Sequence, residues 1–372
     1  MEGQAKPRQG VARTARAHGR AKDRPSPNRS SGPGFSAHSP STATHGRAKV
    51  AVTNDRAYNG LLDSPGVSCQ VRVPIAMSKI PPTGSSDIQF GAMIQYMDSL
   101  NYWQRRGFLW RQDPQLARFL YKFRPLVPDN KTSVDHMRDL LVRSRLWLSS
   151  PVSFNDPFDM AIRFIAEGTV TERKERFEAL LKRQGVKWGE RSRRLPGLVA
   201  KGVDELAALA QGAHEKNVRV TGVCSFGGDP HSIQMWSHYA SNHEGFCLQF
   251  EVAKDVGVFV LALPVEYSNE YPVVNWIREF RDGLKATMLR KHTGWRYERE
   301  QRIVLPEAAE QYLGFRAESL KGIIIGCRVK PATLECLHEL LAERSSAGFL
   351  RPTLYRAFRH ESKYRLVIKK EA

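Results

Sequence analysis

The sequence predicts an α+β fold: a single domain of mixed or antiparallel sheet with flanking helices, a helical insertion and a disordered basic N-terminus. Two observations carry this. From about residue 93 onward, helix-spaced and strand-like segments mix without a repeating βαβ period. Residues 1–50, by contrast, hold ten Lys or Arg against two Asp or Glu and are rich in Gly, Pro and Ser. Such a segment cannot bury enough apolar surface to offset its ordering entropy. The organisation expected is therefore a disordered basic extension over residues 1–90 and one domain over 91–372, with the insertion at about 171–217. An Arg-rich, acid-poor start also fits a mitochondrial transit peptide, but its glycines and prolines spoil an amphipathic helix. Met77 and Met93 are alternative internal starts.

The elements follow in order. In MIQYMDSLNYWQRRGFLW, from Met93, apolar residues recur three and four apart, which predicts a short helix. FLYKF (119–123) alternates as a strand and is broken by Pro125 and Pro128. Thr132 or Ser133 is placed to cap a helix through VDHMRDLLVRS, with Met137, Leu140 and Leu141 on one side. RLWLSS returns as a strand. Residues 171–217 read as two or three polar helices broken at Gly185, Gly189, Pro196 and Gly202, with their basic residues on a solvated face. VRVTGVCSF (218–226) is a strand, and SIQMWSHYASNHE a helix whose Met235, Trp236 and Tyr239 face one core. GFCLQFEV (245–252) and FVLALPVEY (259–267) are strands, and residues 273–292 predict a long helix ended by Gly294. RYEREQRIVL and KGIIIGCRV are strands, 331–345 a helix capped near Thr333, and TLYRAFRH with YRLVIKK a closing hairpin.

The formal charge is +19, of which +8 sits in residues 1–50 and +11 on the rest. A basic tail on a mildly basic body is a weaker sign of nucleic acid than one basic face. Five cysteines, an odd number with no CxxC pair, argue for a reducing compartment and against a disulfide framework or zinc ribbon. No apolar run approaches the roughly 20 residues a bilayer span needs, and no apolar h-region follows the start. The expectation is a soluble cytoplasmic protein without membrane contact.

Four constellations carry candidate chemistry. In SFNDPFD, Asn155 and Asp156 either satisfy a tight turn or present polar groups at a site, while Phe154 and Phe158 anchor the loop. An anchoring role predicts that Phe158→Ala costs about 3–5 kcal/mol. In MWSHYASNHEGF, Trp236, His238 and Tyr239 set donors beside an aromatic surface, although Trp236 and Tyr239 also suit a core. His231, His238 and His243 with Cys224 and Cys247 lack zinc-site spacing, so no metal is expected. In WRYEREQRIV, read as a strand, Glu298, Glu300 and Arg302 share a face, with the two carboxylates about 7 Å apart. Like charges that close favour acid–base or cation-stabilising work, whereas the plain reading is a solvated, internally paired face. In YKFR, Lys122 and Arg124 point to one side of an early strand, ready for phosphate or for those acids. The chain holds no P-loop, GxGxxG, GxSxG or HExxH.

The ordered blocks LYKFR, LWLSSPVSFNDPFD, VCSFGGD, MWSHYASNHEGFCLQFE, VEYSNEYP, KHTGWRYEREQRIV and KGIIIGCRV resemble a mainly bacterial family catalogued as domain of unknown function 2971. The resemblance spans about residues 119 to 368 and implies no activity. The order of elements is also similar to the ADP-ribosyltransferase fold, whose members split NAD with a strand-borne Glu. That analogy implies Lys122 or Arg124 on the pyrophosphate, Ser149 or Ser150 on the nicotinamide ribose, and Glu298 or Glu300 at the reacting ribose. NAD is thus the candidate substrate, and no cofactor is otherwise indicated. The alternative is a non-catalytic, nucleic-acid-binding or defence-associated module, supported by the positive balance and the basic tail.

Overall fold

The computed structural model describes residues 86–111, 116–279 and 287–371, with side chains from Ala92 onward. Residues 1–85, expected to be disordered, and the candidate start at Met77 lie outside the described residues. The chain enters at α1 (Ser86–Ser99), so a helix crosses the boundary expected at residue 90, and α2 (Tyr102–Trp110) follows where the spacing predicts one helix. Asn101 makes the break. Its side chain accepts from the Trp103 and Gln104 amides, and Gln104 accepts from the Asn101 amide, a reciprocal cap that starts a new helix. β1 (Phe119–Arg124) and α3 (Lys131–Leu141) come next. The cap of α3 is Asn130, accepting from the Ser133 amide, rather than Thr132 or Ser133.

β2 (Arg145–Leu148) and β3 (Arg163–Ile165) flank the NDPFD loop. The insertion is three helices, α4 (Val170–Arg183), α5 (Trp188–Val199) and α6 (Val203–Val220). Gly189 and Pro196 lie inside α5 rather than at breaks. These helices are not merely a solvated face: Phe177, Leu206 and Ala210 pack with Phe164, Val274 and Trp276 in an apolar cluster of their own. Because α6 continues to Val220, β4 (Gly222–Phe226) starts later than the apolar run suggests. α7 (Ile233–Tyr239) stops early because Ser241, Asn242 and His243 take left-handed φ values of 47°, 54° and 70°, which no right-handed helix can continue. β5 (Phe246–Glu251) follows.

Two predicted elements are overturned. Residues 259–267 are not one strand: α8 (Val256–Phe259) turns into the short strands β6 (Leu263–Pro264) and β7 (Glu266–Ser268). Residues 273–292 do not form a long helix, since β8 (Val273–Asn275) and β9 (Arg290–His292) occupy its two ends. The β-branched Val273 and Val274 instead pair with β3, in parallel, and Arg290–His292 pairs with β7, also in parallel. Gly294 falls inside a 3-10 turn, Thr293–Glu298, rather than at a helix end. That turn also removes the first half of the predicted RYEREQRIVL strand, so β10 (Gln301–Leu305) starts after the glutamates.

β11 (Gln311–Gly314), β12 (Leu320–Ile325), α9 (Pro331–Ser346), β13 (Thr353–Arg359) and β14 (Leu366–Lys370) complete the chain. Lys330 occupies the N-cap of α9, and Thr333 is buried instead of capping. β13 and β14 form the expected antiparallel hairpin.

The main sheet has the order β1-β5-β12-β13-β14 and is mixed, because β12 and β13 run parallel while its other pairs are antiparallel. β4, β10 and β6 form a second, antiparallel sheet, and β2 pairs with β11. The architecture is α+β. Leu120, Phe226, Phe250, Ile303, Ile323 and Leu337 belong to one apolar core that joins the two sheets. Two isolated bridges then fix the site. Tyr121 and Gly227 exchange backbone bonds of 2.7 and 3.1 Å, and Ser149 and Val223 exchange two of 2.9 Å. They hold β1, the end of β2, β4 and the entry to β10 around one point. Among the described residues, no helix is long and apolar enough to cross a membrane.

Candidate functional site

At that point lies a cleft of about 520 Å³. Its lining includes Lys122, Arg124, Ser149, Asn155, His238, Tyr239, Glu298 and Glu300, so eight of the eleven candidate residues come together from distant parts of the chain. Three do not line it. Trp236 is fully buried, its ring edge-on to Phe123 at 5.3 Å and its Nε1 donating to the Pro230 carbonyl at 2.7 Å. Ser150 is buried and donates to the Arg219 carbonyl at 2.9 Å. Asp156 is buried and accepts from the Phe158 amide at 2.9 Å, the turn-capping role that the Asn-Asp-Pro sequence also allows.

The loop is not pinned by two phenylalanines. Phe158 is 61% exposed, and only Phe154 packs, beside Met160, Val223 and Met288. The residue that ties the loop down is Asp159. Its two oxygens accept from the Arg302 guanidinium at 2.8 and 2.6 Å, and both side chains are essentially solvent-free.

Glu298 and Glu300 do turn into one place, though not as neighbours on a flat strand. Glu298 closes the 3-10 turn, Arg299 takes a left-handed φ of 45°, and the strand begins at Gln301. The Glu298 carbonyl accepts from the Gly228 amide at 3.2 Å, which fixes this turn against the loop after β4. Lys291 Nζ lies 2.8 Å from Glu298 Oε2 and 3.3 Å from Glu300 Oε2, and Arg302 Nε donates to Glu300 Oε1 at 2.7 Å. Three buried carboxylates therefore share two buried cations. The division is unequal: Asp159 and Glu300 both grip Arg302, while Glu298 has Lys291 and the Tyr239 hydroxyl, the latter at 2.6 Å from Oε1.

This inequality separates the two glutamates electrostatically. Burial alone raises the pKa of Glu300, but the charge and hydrogen bonds of Arg302, helped by Lys291, hold it down to about 2. Glu298 is raised above its ordinary value, first by burial and then by the Glu300 charge, against the pull of Lys291. Burial by itself lowers Lys291, yet the charges of Glu300 and Glu298 keep it above an ordinary lysine. Tyr239 is pushed well up by burial and by its bond to Glu298, so it stays a donor. Asn155 hydrogen-bonds the same phenol. On the rim, His238 Nδ1 lies 3.0 Å from the Tyr297 hydroxyl.

Two further cations line the cleft. Lys122 Nζ sits 3.3 Å from Cys224 Sγ and 3.1 Å from the Ser225 carbonyl, with neutral partners only, and burial lowers its pKa. Arg124 is lowered by burial too, and its Nε is buried without a hydrogen-bond partner. Neither makes an ion pair among the described residues, unlike Lys291 and Arg302. Desolvated cations that make no close ion pair are sites for an anionic ligand group, although the Glu300 charge does act on Lys122. Half-buried Trp147, edge-on to Tyr312 at 4.9 Å, adds an aromatic wall. Among the described residues no group of three or more His, Cys, Asp or Glu is placed to hold a metal ion.

The family described as "Protein of unknown function (DUF2971)" matches residues 235–303. The chain resembles that family. The match runs from α7 to Ile303 in β10, so it contains Tyr239, Lys291, Glu298, Glu300 and Arg302. The β1 cations and Asp159 lie outside the matched stretch. No curated protein and no solved structure matches the chain.

Asp159, Lys291 and Trp147 have no place among the residues the sequence singles out, and Arg302 stands there only as a strand-face neighbour of the two glutamates. Arg302 carried a signal: an arginine in the apolar run of QRIVL must find buried acids. Lys291 carried none once its segment reads as a helix.

Proposed function

We propose that the cleft binds NAD and cleaves its N-glycosidic bond, as a transferase or hydrolase of the ADP-ribosyl group. The observation that carries this reading is the presence, in one cleft, of two cations without an ion pair among the described residues and of a glutamate held by a tyrosine. The cations Lys122 and Arg124 suit the pyrophosphate. Ser149 also lines the cleft and suits a ribose hydroxyl, and Trp147 suits a planar ring. The order of elements is similar to that of ADP-ribosyltransferases: cationic β1, α3, β2 running into serine, and glutamates ahead of a late strand.

The chemistry balances without further reagents. The C1′–N bond breaks and its electron pair leaves on the nicotinamide nitrogen. Positive charge grows on the ribose, and the Glu298 carboxylate, fixed before the reaction by Tyr239 and Lys291, stabilises charge where it develops. Water or an acceptor hydroxyl then forms the new C1′–O bond and gives its proton to Glu298. A carboxylate with a raised pKa is the better proton acceptor of the pair. Glu300 is the poorer candidate for this step, because Arg302 already neutralises it; it positions Lys291.

Calorimetric titration with NAD, ADP-ribose and nicotinamide riboside tests the reading. Binding of the first two and not of the third is expected from a pyrophosphate grip. Equal binding of all three, or none, contradicts it.

A further inference from the structure

A second concave surface lies on the other side of α7, at the loop that joins β13 to β14. It encloses about 1000 Å³, and its charged lining is Arg328, Arg359, Lys363 and Arg365 against a single acid, Glu361. Arg359, Lys363 and Arg365 have no ion pair among the described residues, and Arg328 only grazes Glu244 at 4.0 Å. Three exposed apolar side chains stand among these cations. Tyr364 is fully exposed at 103%, Phe358 is 43% exposed and Ile233 is 37% exposed. Phe358 is held from the neighbouring strand by Lys369, whose Nζ lies 5.8 Å from its ring.

We propose that this groove binds single-stranded nucleic acid. Unpaired cations along a concave track match a phosphate backbone, and flat rings left in water match unstacked bases, the combination that single-strand binding uses. An acidic peptide would need the cations but not the rings. A duplex would offer phosphates but no free base faces. The groove and the cleft are separated by α7, which gives Ile233 to the first and Met235, His238 and Tyr239 to the second. This inference stands independently of NAD cleavage.

The test is fluorescence anisotropy on the full chain with a labelled oligothymidylate of about 20 nucleotides, longer than one single-strand site. A duplex of the same length and poly-glutamate serve as competitors. Two variants are compared with wild type: Arg359→Ala/Lys363→Ala/Arg365→Ala, and Tyr364→Ala. All four positions are exposed or half-exposed, so melting temperatures should match wild type. The triple variant should flatten the log–log salt slope by about 2, at about 0.7 per lost phosphate contact. Tyr364→Ala should weaken binding roughly ten-fold with the slope unchanged, the signature of a lost stack. Affinity unchanged in both variants would place binding elsewhere, in the basic residues 1–50 for example, and overturn the proposal. Equal competition by poly-glutamate, or by duplex with Tyr364→Ala neutral, would overturn it as well. NAD cleavage should be untouched in both variants.

Discussion

Tyr239 donates to Glu298 at 2.6 Å across 59 residues of sequence, from the last residue of a helix to the last residue of a 3-10 turn. The bond holds one oxygen of the carboxylate while Lys291 holds the other at 2.8 Å. Tyr239→Phe removes a donor that favours the charged carboxylate, so Glu298 becomes harder to ionise. The acid limb of a pH–rate profile for nicotinamide release should therefore move to higher pH. Turnover on the plateau should fall about ten-fold, the worth of one hydrogen bond to a charged group. An unmoved limb would separate Tyr239 from the reacting carboxylate.

Lys122→Met should weaken NAD binding about 10- to 100-fold, the range for a lost charge-assisted hydrogen bond. Stability should hold or rise, because a buried cation that makes no ion pair among the described residues is replaced by an apolar chain of similar length. Burial lowers the pKa of Lys122, so wild-type affinity for NAD should decline on the alkaline side before an ordinary lysine titrates, near 10.4. Calorimetry across pH and urea unfolding read the two effects separately.

Asp159→Asn should destabilise the fold by about 1–3 kcal/mol, the cost of leaving a buried donor of Arg302 unsatisfied while Glu300 still balances its charge. It weakens one of the two bidentate grips on Arg302, that of Glu300 being the other, while the side chains remain out of water. Equilibrium unfolding in urea gives the value, and a loss below about 1 kcal/mol would mean that water reaches the cluster.

The same cluster sets an acid limit. The folded pKa of Glu300 is depressed to about 2, below its unfolded value near 4.3. Its contribution to stability is thus present above the unfolded value and is lost as pH falls through 4 towards 2. The melting temperature of wild type should drop across that window, and that of Glu300→Gln should drop less.

Phe158→Ala should change stability by less than about 0.5 kcal/mol, as surface substitutions usually do. The ring is 61% exposed, so the 3–5 kcal/mol expected of a buried anchor does not apply. Thermal melts of this variant and of Asp159→Asn should therefore differ sharply, although the two residues are adjacent.

Much of the site was legible because its chemistry sits in short blocks. YKFR placed Lys122 and Arg124 on one side of a strand, and both line the cleft, although Tyr121 and Phe123 line it with them. Glu298 and Glu300 were found by spacing, although the reason for their convergence is a 3-10 turn and a left-handed Arg299 rather than a strand face. What stayed hidden was long-range. Asp159 meets Arg302 across 143 residues, and nothing local to either predicts the other. Residues 273–292 misled because the helix-compatible RKH ends up as a strand through pairing with Glu266–Ser268, a tertiary contact. Phe158 looked like an anchor because its type is usually buried, and exposure is decided by what lies opposite it.

The sharpest measurement is nicotinamide release from NAD by wild type and by Glu298→Gln, with NAD affinity measured on both. Gln keeps the shape of the side chain and removes the charge, so binding through Lys122 and Arg124 should survive. Turnover should fall by at least about 10²-fold, the order seen when one electrostatic stabiliser of a transition state is lost. A wild-type protein that neither binds NAD nor releases nicotinamide would contradict the reading, and so would a Glu298→Gln variant that turns over as fast as wild type.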